Sequence, residues 1–248
     1  MRLKLLRNAT LRISYAGHEI LVDPCLGAKG SLPAFAGIAT NPTVELPESV
    51  PAIVGGIDLA IISHLHIDHF DAAGEAALPK ELTTFCQPED FETIKAKGFT
   101  QVTPLANETT WNGISLQRTA GQHGTGEVLK KAGLVMGFIL RAPDEPTFYW
   151  AGDTVLIPEV LEIIANERPD VILTHSGGAT IDDTFLIMDD SQTVELIRHA
   201  GGAKVIAVHF ESIDHCSVTR AKLRVAANAA GIPEAQLFIP ADGQELNL

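Results

Sequence analysis

The chain has 248 residues, 46% of them hydrophobic, and a formal net charge of −13. No basic run or basic-aromatic patch offsets this charge, which argues against a nucleic-acid partner because such binding depends on Lys and Arg at the phosphates. The length and apolar content suffice for a sizeable core, and no linker, charge run or low-complexity segment divides the chain. We therefore expect one domain over residues 1–248.

The cysteines and the N-terminus predict a cytoplasmic protein. The chain has three cysteines without paired or Cys-x-x-Cys spacing, which is typical of reduced thiols. The first seven residues are interrupted by charges and lack the apolar centre of a signal peptide. No apolar stretch is long enough to span a bilayer, so no membrane association is expected. The expected partner is a small-molecule substrate, and the oligomeric state stays open, with a homo-oligomer among the alternatives.

The N-terminal part of the chain predicts short strands followed by a long loop. Alternating residues at 2–6, 10–15 and 20–24 predict an antiparallel meander. Asp23 at the end of its third strand could support a site from behind or simply form a turn before Pro24. Residues 25–50 are rich in Gly, Pro and Ala without a clear period. Such a long loop is usually a lid or a recognition surface, and flexible padding is the alternative.

Histidine and aspartate side chains cluster directly after the apolar run at 58–62, which predicts a buried strand. These four residues are His64, His66, Asp68 and His69. Imidazole nitrogens and carboxylate oxygens together suit Zn²⁺, Mn²⁺ or Fe²⁺. One short loop could therefore serve two adjacent metal ions.

Three further ligand-type residues follow later predicted strands. His123 lies in a glycine-rich loop after the strand at 114–119, Asp153 follows the strand at 147–150, and His209 follows the strand at 204–208. Further strands are predicted at 83–86, 101–103, 109–111, 135–141, 170–174 and 237–239, and helices at 71–78, 88–97, 190–199, 219–230 and from 158 onward. Two similar halves of this kind predict two sheets packed face to face with helices outside. Seven ligand-type residues can hold two metals with three ligands each and a shared carboxylate.

The ordered motifs His-x-His-x-Asp-His, a lone His, Gly-Asp after a strand and a late His resemble the metallo-β-lactamase superfamily. This resemblance covers essentially the whole chain and implies an α/β fold, a four-layer αββα sandwich. It also implies that one metal is held by His64, His66 and His123, that the second is held by Asp68, His69 and His209, and that Asp153 bridges both. The opening sequence at 17–24 resembles the branch of ascorbate-6-phosphate lactonase-like hydrolases.

Two additional histidines are predicted substrate contacts. His175 precedes Gly177-Gly178, where the lactonase-like branch has an apolar step, and could contact the substrate or cap its strand. His215 could contact the substrate or leaving group, or lie on a surface loop.

The leading functional prediction is metal-assisted hydrolysis of a small ester or lactone. Two divalent cations, Zn or Mn with Fe as a further option, would activate water and polarise the substrate. Asp68 would accept a proton or orient the attacking hydroxide, and is the predicted catalytic residue. A small-molecule phosphodiesterase is the alternative within hydrolysis. An iron-dependent oxidoreductase and a non-catalytic metal-binding module are the alternatives from other classes.

Overall fold

The computed structural model describes residues 1–248 and contains two seven-stranded sheets. The strands of the first sheet are β1 (Arg2–Arg7), β2 (Thr10–Tyr15), β3 (His18–Val22), β4 (Leu59–Ile62), β5 (Thr83–Cys86), β6 (Val102–Pro104) and β16 (Glu245–Asn247). Their order is β16-β1-β2-β3-β4-β5-β6. The strands are antiparallel from β16 to β3, which confirms the predicted meander, and parallel from β3 to β6.

The second sheet repeats this arrangement. Its strands are β7 (Glu108–Trp111), β8 (Ile114–Thr119), β9 (Gly137–Arg141), β10 (Phe148–Trp150), β11 (Val171–His175), β14 (Lys204–Val208) and β15 (Leu237–Phe238). Pairing is antiparallel from β7 to β10 and parallel from β10 through β11 and β14 to β15. A separate two-stranded hairpin joins β12 (Thr180–Ile181) and β13 (Thr184–Phe185).

Helices cover the outer face of each sheet. They are α1 (Val50–Val54), α2 (Ala72–Ala77), α3 (Phe91–Ala96), α4 (Gly126–Ala132), α5 (Pro158–Glu167), α6 (Asp190–His199) and α7 (Arg220–Ala229), and a 3₁₀ turn at Pro88–Asp90 precedes α3. None of them has the length and apolar character needed to cross a membrane. Separate apolar clusters lie between the two sheets, between the first sheet and its helices, and between the second sheet and its helices. The predicted αββα sandwich is therefore confirmed.

The inner strands lie in the middle of each sheet because their residues are buried on both faces. All four residues of β4 are buried, since alternate side chains enter the core between the sheets and the core beneath the helices. The same holds for the five buried residues of β11. Continuous apolar runs are expected of parallel strands that are covered on both faces.

Several elements differ from the sequence-based expectations. The chain does not close with the strand near 237, because β16 follows it and pairs with β1. The short helices α1 and α4 and the hairpin β12–β13 were not predicted, since each is too short to show a clear period. Residues 25–49 contain no helix or strand apart from an isolated bridge between Leu32 and Asn41, in agreement with the predicted loop.

The parallel strands direct their carboxyl ends to the region where the ligand-type residues lie. In the first sheet β3 and β4 lead into Asp23 and Ser63. In the second sheet β10 leads toward Asp153, β11 ends at His175, and β14 leads into His209. Residues from distant parts of the sequence are brought together because α/β sheets place such groups at the carboxyl ends of strands.

Candidate metal centre

A first cluster combines three imidazoles with one carboxylate. His64, His66, His123 and Asp153 each offer a ligand atom, and these four atoms lie within 4.8 Å of one another. The Nε2 atoms of His64 and His123 lie 3.8 and 3.6 Å from Oδ2 of Asp153. His66 is partly exposed while the other three side chains are buried, so the cluster faces outward on one side.

A second cluster shares the same carboxylate. His69, Asp153, His175 and His209 also offer ligand atoms within 4.8 Å of one another, and all four residues are buried. Nε2 of His69 lies 3.1 Å from Oδ2 of Asp153, and Nε2 of His209 lies 3.8 Å from Oδ1. Two His/Asp clusters that share Asp153 are the arrangement of a dinuclear metal site.

Asp68 lies beside the second cluster and lines the adjacent cavity. Its Oδ2 is 3.4 Å from Nε2 of His209 and 3.8 Å from Nε2 of His69. Burial opposes ionisation of Asp68, but His69 and His209 outweigh it and hold the pKa of the carboxyl well below its usual range. Asp68 is therefore an anion that is accessible from the cavity.

The buried carboxylates of Asp153, Asp68 and Asp23 favour positive charge on the groups around them. Burial alone would lower the pKa of His209, but Asp153 and then Asp68 raise it to about 10. Burial likewise opposes protonation of His69, and the same two carboxylates with Asp23 raise its pKa well above the usual value. Without a cation these imidazoles would hold protons to balance the carboxylates. A divalent ion would supply that charge while the imidazoles bind it in neutral form.

Unpartnered nitrogens provide an independent test of whether these residues fit a metal. Nε2 of His64 and Nε2 of His69 are buried and make no well-oriented hydrogen bond in the protein, although Nε2 of His69 lies 3.1 Å from Oδ2 of Asp153. Buried polar atoms are normally satisfied, so such nitrogens require another partner. Imidazole nitrogens and carboxylate oxygens are suitable donors for Zn²⁺, Mn²⁺ or Fe²⁺, and the donor set therefore fits two divalent cations.

Asp23 supports both clusters from behind, which resolves the alternatives that its sequence position left open. Its carboxylate accepts hydrogen bonds from the backbone N–H and the hydroxyl of Ser63 at 2.7 and 2.6 Å, and lies 2.6 Å from Nδ1 of His69. The Ser63 hydroxyl also lies 3.0 Å from Nδ1 of His64. Partners of this kind fix the tautomer and orientation of ligating imidazoles, so that Nε2 faces the metal. Asp23 holds this place with a positive φ of 46°.

We expect Asp23→Asn to weaken metal binding. The amide keeps the size of the side chain but removes the charge and one acceptor, so the orientation of His69 is no longer fixed. Loss of such a partner typically reduces metal affinity by about 10- to 100-fold. Competition with a chromophoric chelator would measure this change, with Asp58→Asn, at the opposite end of β4, as the control. Equal affinities in the two variants would contradict the assigned role.

Other parts of the chain orient His123 and His209. Nδ1 of His123 lies 3.0 Å from the carbonyl oxygen of Leu186. The Asn8 amide nitrogen lies 3.2 Å from Nε2 of His209 and donates to the carbonyl oxygen of Asp68. Sequence reasoning missed Asn8, because nothing local in the turn between β1 and β2 indicates contact with a residue 201 positions away.

The two predicted substrate contacts lie in different places. His175 is completely buried, does not line the cavity, and donates from Nδ1 to Oδ1 of Asp153 at 2.5 Å. The structure therefore places His175 behind the shared carboxylate rather than in contact with the cavity. His215 is partly buried and lines the cavity that opens onto the clusters.

Gly177 allows the loop after β11 to pack directly against His209. A Cβ atom at this position would lie 1.9 Å from the carbonyl oxygen of His209 and 2.9 Å from Sγ of Cys216. His209 itself has a positive φ of 68°, which is uncommon for a residue with a side chain. The backbone of His209 is thus held in an unfavourable conformation by close packing on one side.

We expect Gly177→Ala to destabilise the fold and displace His209. Relief of the clash requires a backbone shift, which costs about 1–3 kcal/mol of unfolding free energy. Urea unfolding would measure this loss, and metal analysis would show reduced occupancy of the second cluster. Gly202→Ala is the matched control, since no atom lies within 4 Å of its Cβ position. Identical stability and metal content in both variants would contradict this prediction.

Comparison with known proteins agrees with the fold and the metal centre. Residues 18–210 match the family model described as a beta-lactamase superfamily domain. The UPF0173 protein YddR of Bacillus subtilis is 36% identical over 98% of both chains. A UPF0173 metal-dependent hydrolase of Azorhizobium caulinodans is 24% identical over 85% of both chains.

A solved structure extends this agreement to three dimensions. The isothiocyanate hydrolase from Delia radicum gut bacteria superposes with a TM-score of 0.95 at 34% identity, covering 100% of this chain and 99% of its own. None of these relatives is named as an ascorbate-6-phosphate lactonase, so that part of the resemblance stays a prediction. The chain belongs to the metallo-β-lactamase superfamily and, within it, to the UPF0173 family of metal-dependent hydrolases.

Proposed function

We propose that this protein hydrolyses small, uncharged, apolar electrophiles, and that isothiocyanates are its substrates. The observation that carries the proposal is the cavity above the two clusters. It has a volume of about 540 Å³, and nine of its 16 lining residues are hydrophobic. An apolar cavity beside a few polar groups is the usual form of a small-molecule site.

The polar residues of the cavity belong mainly to the metal centre. His66, Asp68, His123, Asp153 and His209 line its floor. The only lysine in the lining is Lys131, whose side chain is 70% exposed and lies 3.8 Å from Asp182. A phosphodiester would leave its anionic group with little positive charge from side chains, and the hydroxyls of a sugar-acid lactone would find few partners. An apolar substituent on an uncharged reacting group fits this lining better.

Similarity to a named enzyme supports isothiocyanates within this class. The isothiocyanate hydrolase from Delia radicum gut bacteria aligns with the whole chain at 34% identity. Its substrate class consists of an apolar or aromatic substituent on an uncharged N=C=S group, which is the composition the cavity favours. An apolar ester or lactone satisfies the same lining and remains the second candidate.

The ligand residues would bind two divalent ions through His64, His66, His123 and Asp153 on one side and His69, His209 and Asp153 on the other, with Asp68 adjacent. Bound there, the ions would supply Lewis-acid polarisation and lower the pKa of a water molecule. The apolar walls orient the substrate and exclude bulk water from the reacting carbon.

Asp68 would carry the proton. As the water oxygen forms its bond to the central carbon, Asp68 accepts the proton that leaves the water and delivers it to the substrate nitrogen. The resulting thiocarbamic acid, in which the former water oxygen still carries its second proton, transfers this O–H proton to nitrogen as the C–N bond breaks, giving an amine and carbonyl sulfide. One water is consumed for each isothiocyanate, so atoms and charge balance.

Initial rates on four compounds test this proposal. Protein stripped of metal and reloaded with Zn²⁺ or Mn²⁺ would be assayed with benzyl isothiocyanate, phenyl acetate, a sugar-acid lactone and bis(p-nitrophenyl) phosphate. We expect turnover of the isothiocyanate that is abolished by a chelator. Turnover of phenyl acetate alone would favour the second candidate. Turnover of only the sugar-acid lactone or the phosphodiester would overturn both.

A further inference from the structure

The carboxylate of Asp214 accepts hydrogen bonds from several backbone N–H groups of the long loop at residues 25–49. It accepts hydrogen bonds from the backbone N–H groups of Phe35 at 2.9 Å, Ala36 at 3.1 Å, Ile38 at 3.1 Å and Ala39 at 3.3 Å, and from the Asn41 amide at 2.9 Å. Partial burial opposes its ionisation, but the hydrogen bonds from Asn41 and the loop backbone hold the pKa of Asp214 well below its usual range. An anion with five donors fixes this stretch of chain strongly.

Additional hydrogen bonds tie the same two segments together. The backbone N–H of Asp214 donates to Oδ1 of Asn41 at 2.8 Å. Thr43 donates from its backbone N–H to the carbonyl oxygen of Ser212 at 2.8 Å and from its hydroxyl to that of Glu211 at 2.5 Å. Residues 35–43 are therefore attached to residues 211–214, which follow the metal-centre residue His209.

This attachment places an aromatic pair at the cavity. The rings of Phe35 and His215 meet edge to face, with centroids 5.3 Å apart and planes at 81°. Both residues line the cavity. Nδ1 of His215 is buried without a hydrogen-bond partner, so the imidazole has binding capacity that the protein leaves unused.

An apolar wall lies elsewhere around the same cavity. It is contributed by Val128 and Ala132 of α4, Ile181 of β12, and Leu186. Since these side chains are aliphatic, Phe35 and His215 are the aromatic groups of the lining that lie outside the metal clusters. Aromatic rings favour contact with other rings in edge-to-face or offset geometry, which aliphatic side chains cannot provide.

We propose that Phe35 and His215 select substrates by contacting an aromatic or bulky apolar substituent. Asp214 is then the positioning residue that holds Phe35 at the cavity. This inference rests on the proposed function for its substrate class. Phe35 and His215 would then determine specificity through binding, without taking part in the reaction at the central carbon.

Equilibrium binding of two unreactive ureas tests the contact between the aromatic pair and the substituent separately from hydrolysis. N-benzylurea and N-methylurea share a polar group and differ only in the substituent. Calorimetry with the metal-loaded protein should show tighter binding of N-benzylurea. Phe35→Ala should reduce that affinity about tenfold, because much of the apolar contact is lost, and leave N-methylurea unaffected. The corresponding kinetic result is a higher KM for benzyl isothiocyanate with little change for methyl isothiocyanate.

Asp214→Asn tests the positioning role. Its amide group would face backbone donors, so the loop should detach and the preference for benzyl over methyl should fall as in Phe35→Ala. Limited proteolysis should then cut residues 25–50 faster. Ile38→Ala, an exposed residue of the same loop, should change neither the preference nor the proteolysis.

The outcomes separate this inference from the proposed function. Equal affinity of the wild-type protein for the two ureas, or an equal effect of Phe35→Ala on both, would overturn the inference whatever the enzyme hydrolyses. An unchanged preference in a folded Asp214→Asn variant would overturn the positioning role. Selective binding of N-benzylurea without isothiocyanate turnover would support recognition of the substituent by Phe35 and His215 and reject the proposed reaction.

Discussion

Replacement of Asp153 by asparagine is expected to abolish assembly of the dinuclear centre. Oδ2 of this carboxylate lies within 4 Å of Nε2 of His64, His69 and His123, and Oδ1 faces His209 and His175. Asparagine retains the shape but removes the charge and one acceptor oxygen that two cations would share. We expect bound metal to fall from two ions toward one or none per chain, and turnover to fall at least about a hundredfold.

Metal analysis by mass spectrometry together with initial rates would measure both effects. Asp144→Asn is the matched control, because it removes the same charge at an exposed turn. Two bound ions per chain in Asp153→Asn would show that the carboxylate is not shared between metals. If Asp144→Asn lost as much bound metal and turnover as Asp153→Asn, the effect would come from the change in net charge.

Sequence periodicity was sufficient to predict the layers of the fold. Continuous apolar runs such as 59–62 and 205–208 are inner strands because their side chains are buried on both faces of the sheet, as they are in β11. The partner of β1 could not be predicted in the same way. The strand Glu245–Asn247 has one half-buried residue between two exposed ones, and it pairs with β1 through backbone hydrogen bonds that carry no side-chain pattern.

The metal centre was predictable because its chemistry is concentrated in rare residue types. Seven of the nine histidines lie in the two clusters or the cavity beside them, and the positions at strand ends indicate that they converge. Asp23 and Asp153 have almost identical local patterns, a strand followed by a short turn with an aspartate. Only the packing of the two sheets decides that Asp153 faces the cavity and Asp23 lies behind His69.

The contacts of His175 and Asp214 could not be predicted for a related reason. His175 ends a buried strand, and the choice between the cavity and Asp153 depends on the neighbouring strand β10. Asp214 is separated from its loop partners by more than 170 residues, and its donors are backbone groups of an irregular segment. Almost every residue type has a backbone N–H donor, so the identity of the loop residues does not indicate which of them bind Asp214. Composition and periodicity therefore could not predict this attachment.

Asp68→Asn is expected to reduce turnover about 100- to 1,000-fold while leaving the fold intact, within the usual contribution of a positioned general base. The side chain lines the cavity beside His209 and His69, and its low pKa keeps the carboxyl group ionised, which leaves its oxygens free of a proton. Asparagine preserves an oxygen at that place but cannot take up the proton from water. Stopped assays with benzyl isothiocyanate would measure kcat, and metal analysis would establish that both ions are still bound.

Asp71→Asn provides the contrast, because this buried carboxylate serves the fold. It caps α2 through the backbone N–H of Gly74 and accepts hydrogen bonds from the backbone of Leu26 and Gly27. We expect a loss of about 1–2 kcal/mol in unfolding free energy with kcat unchanged. Full activity in Asp68→Asn with both metals bound would exclude it as the proton acceptor. Loss of one metal ion in that variant would instead make Asp68 primarily a ligand of the second cluster, and the proton would have to be carried by another group of the cavity.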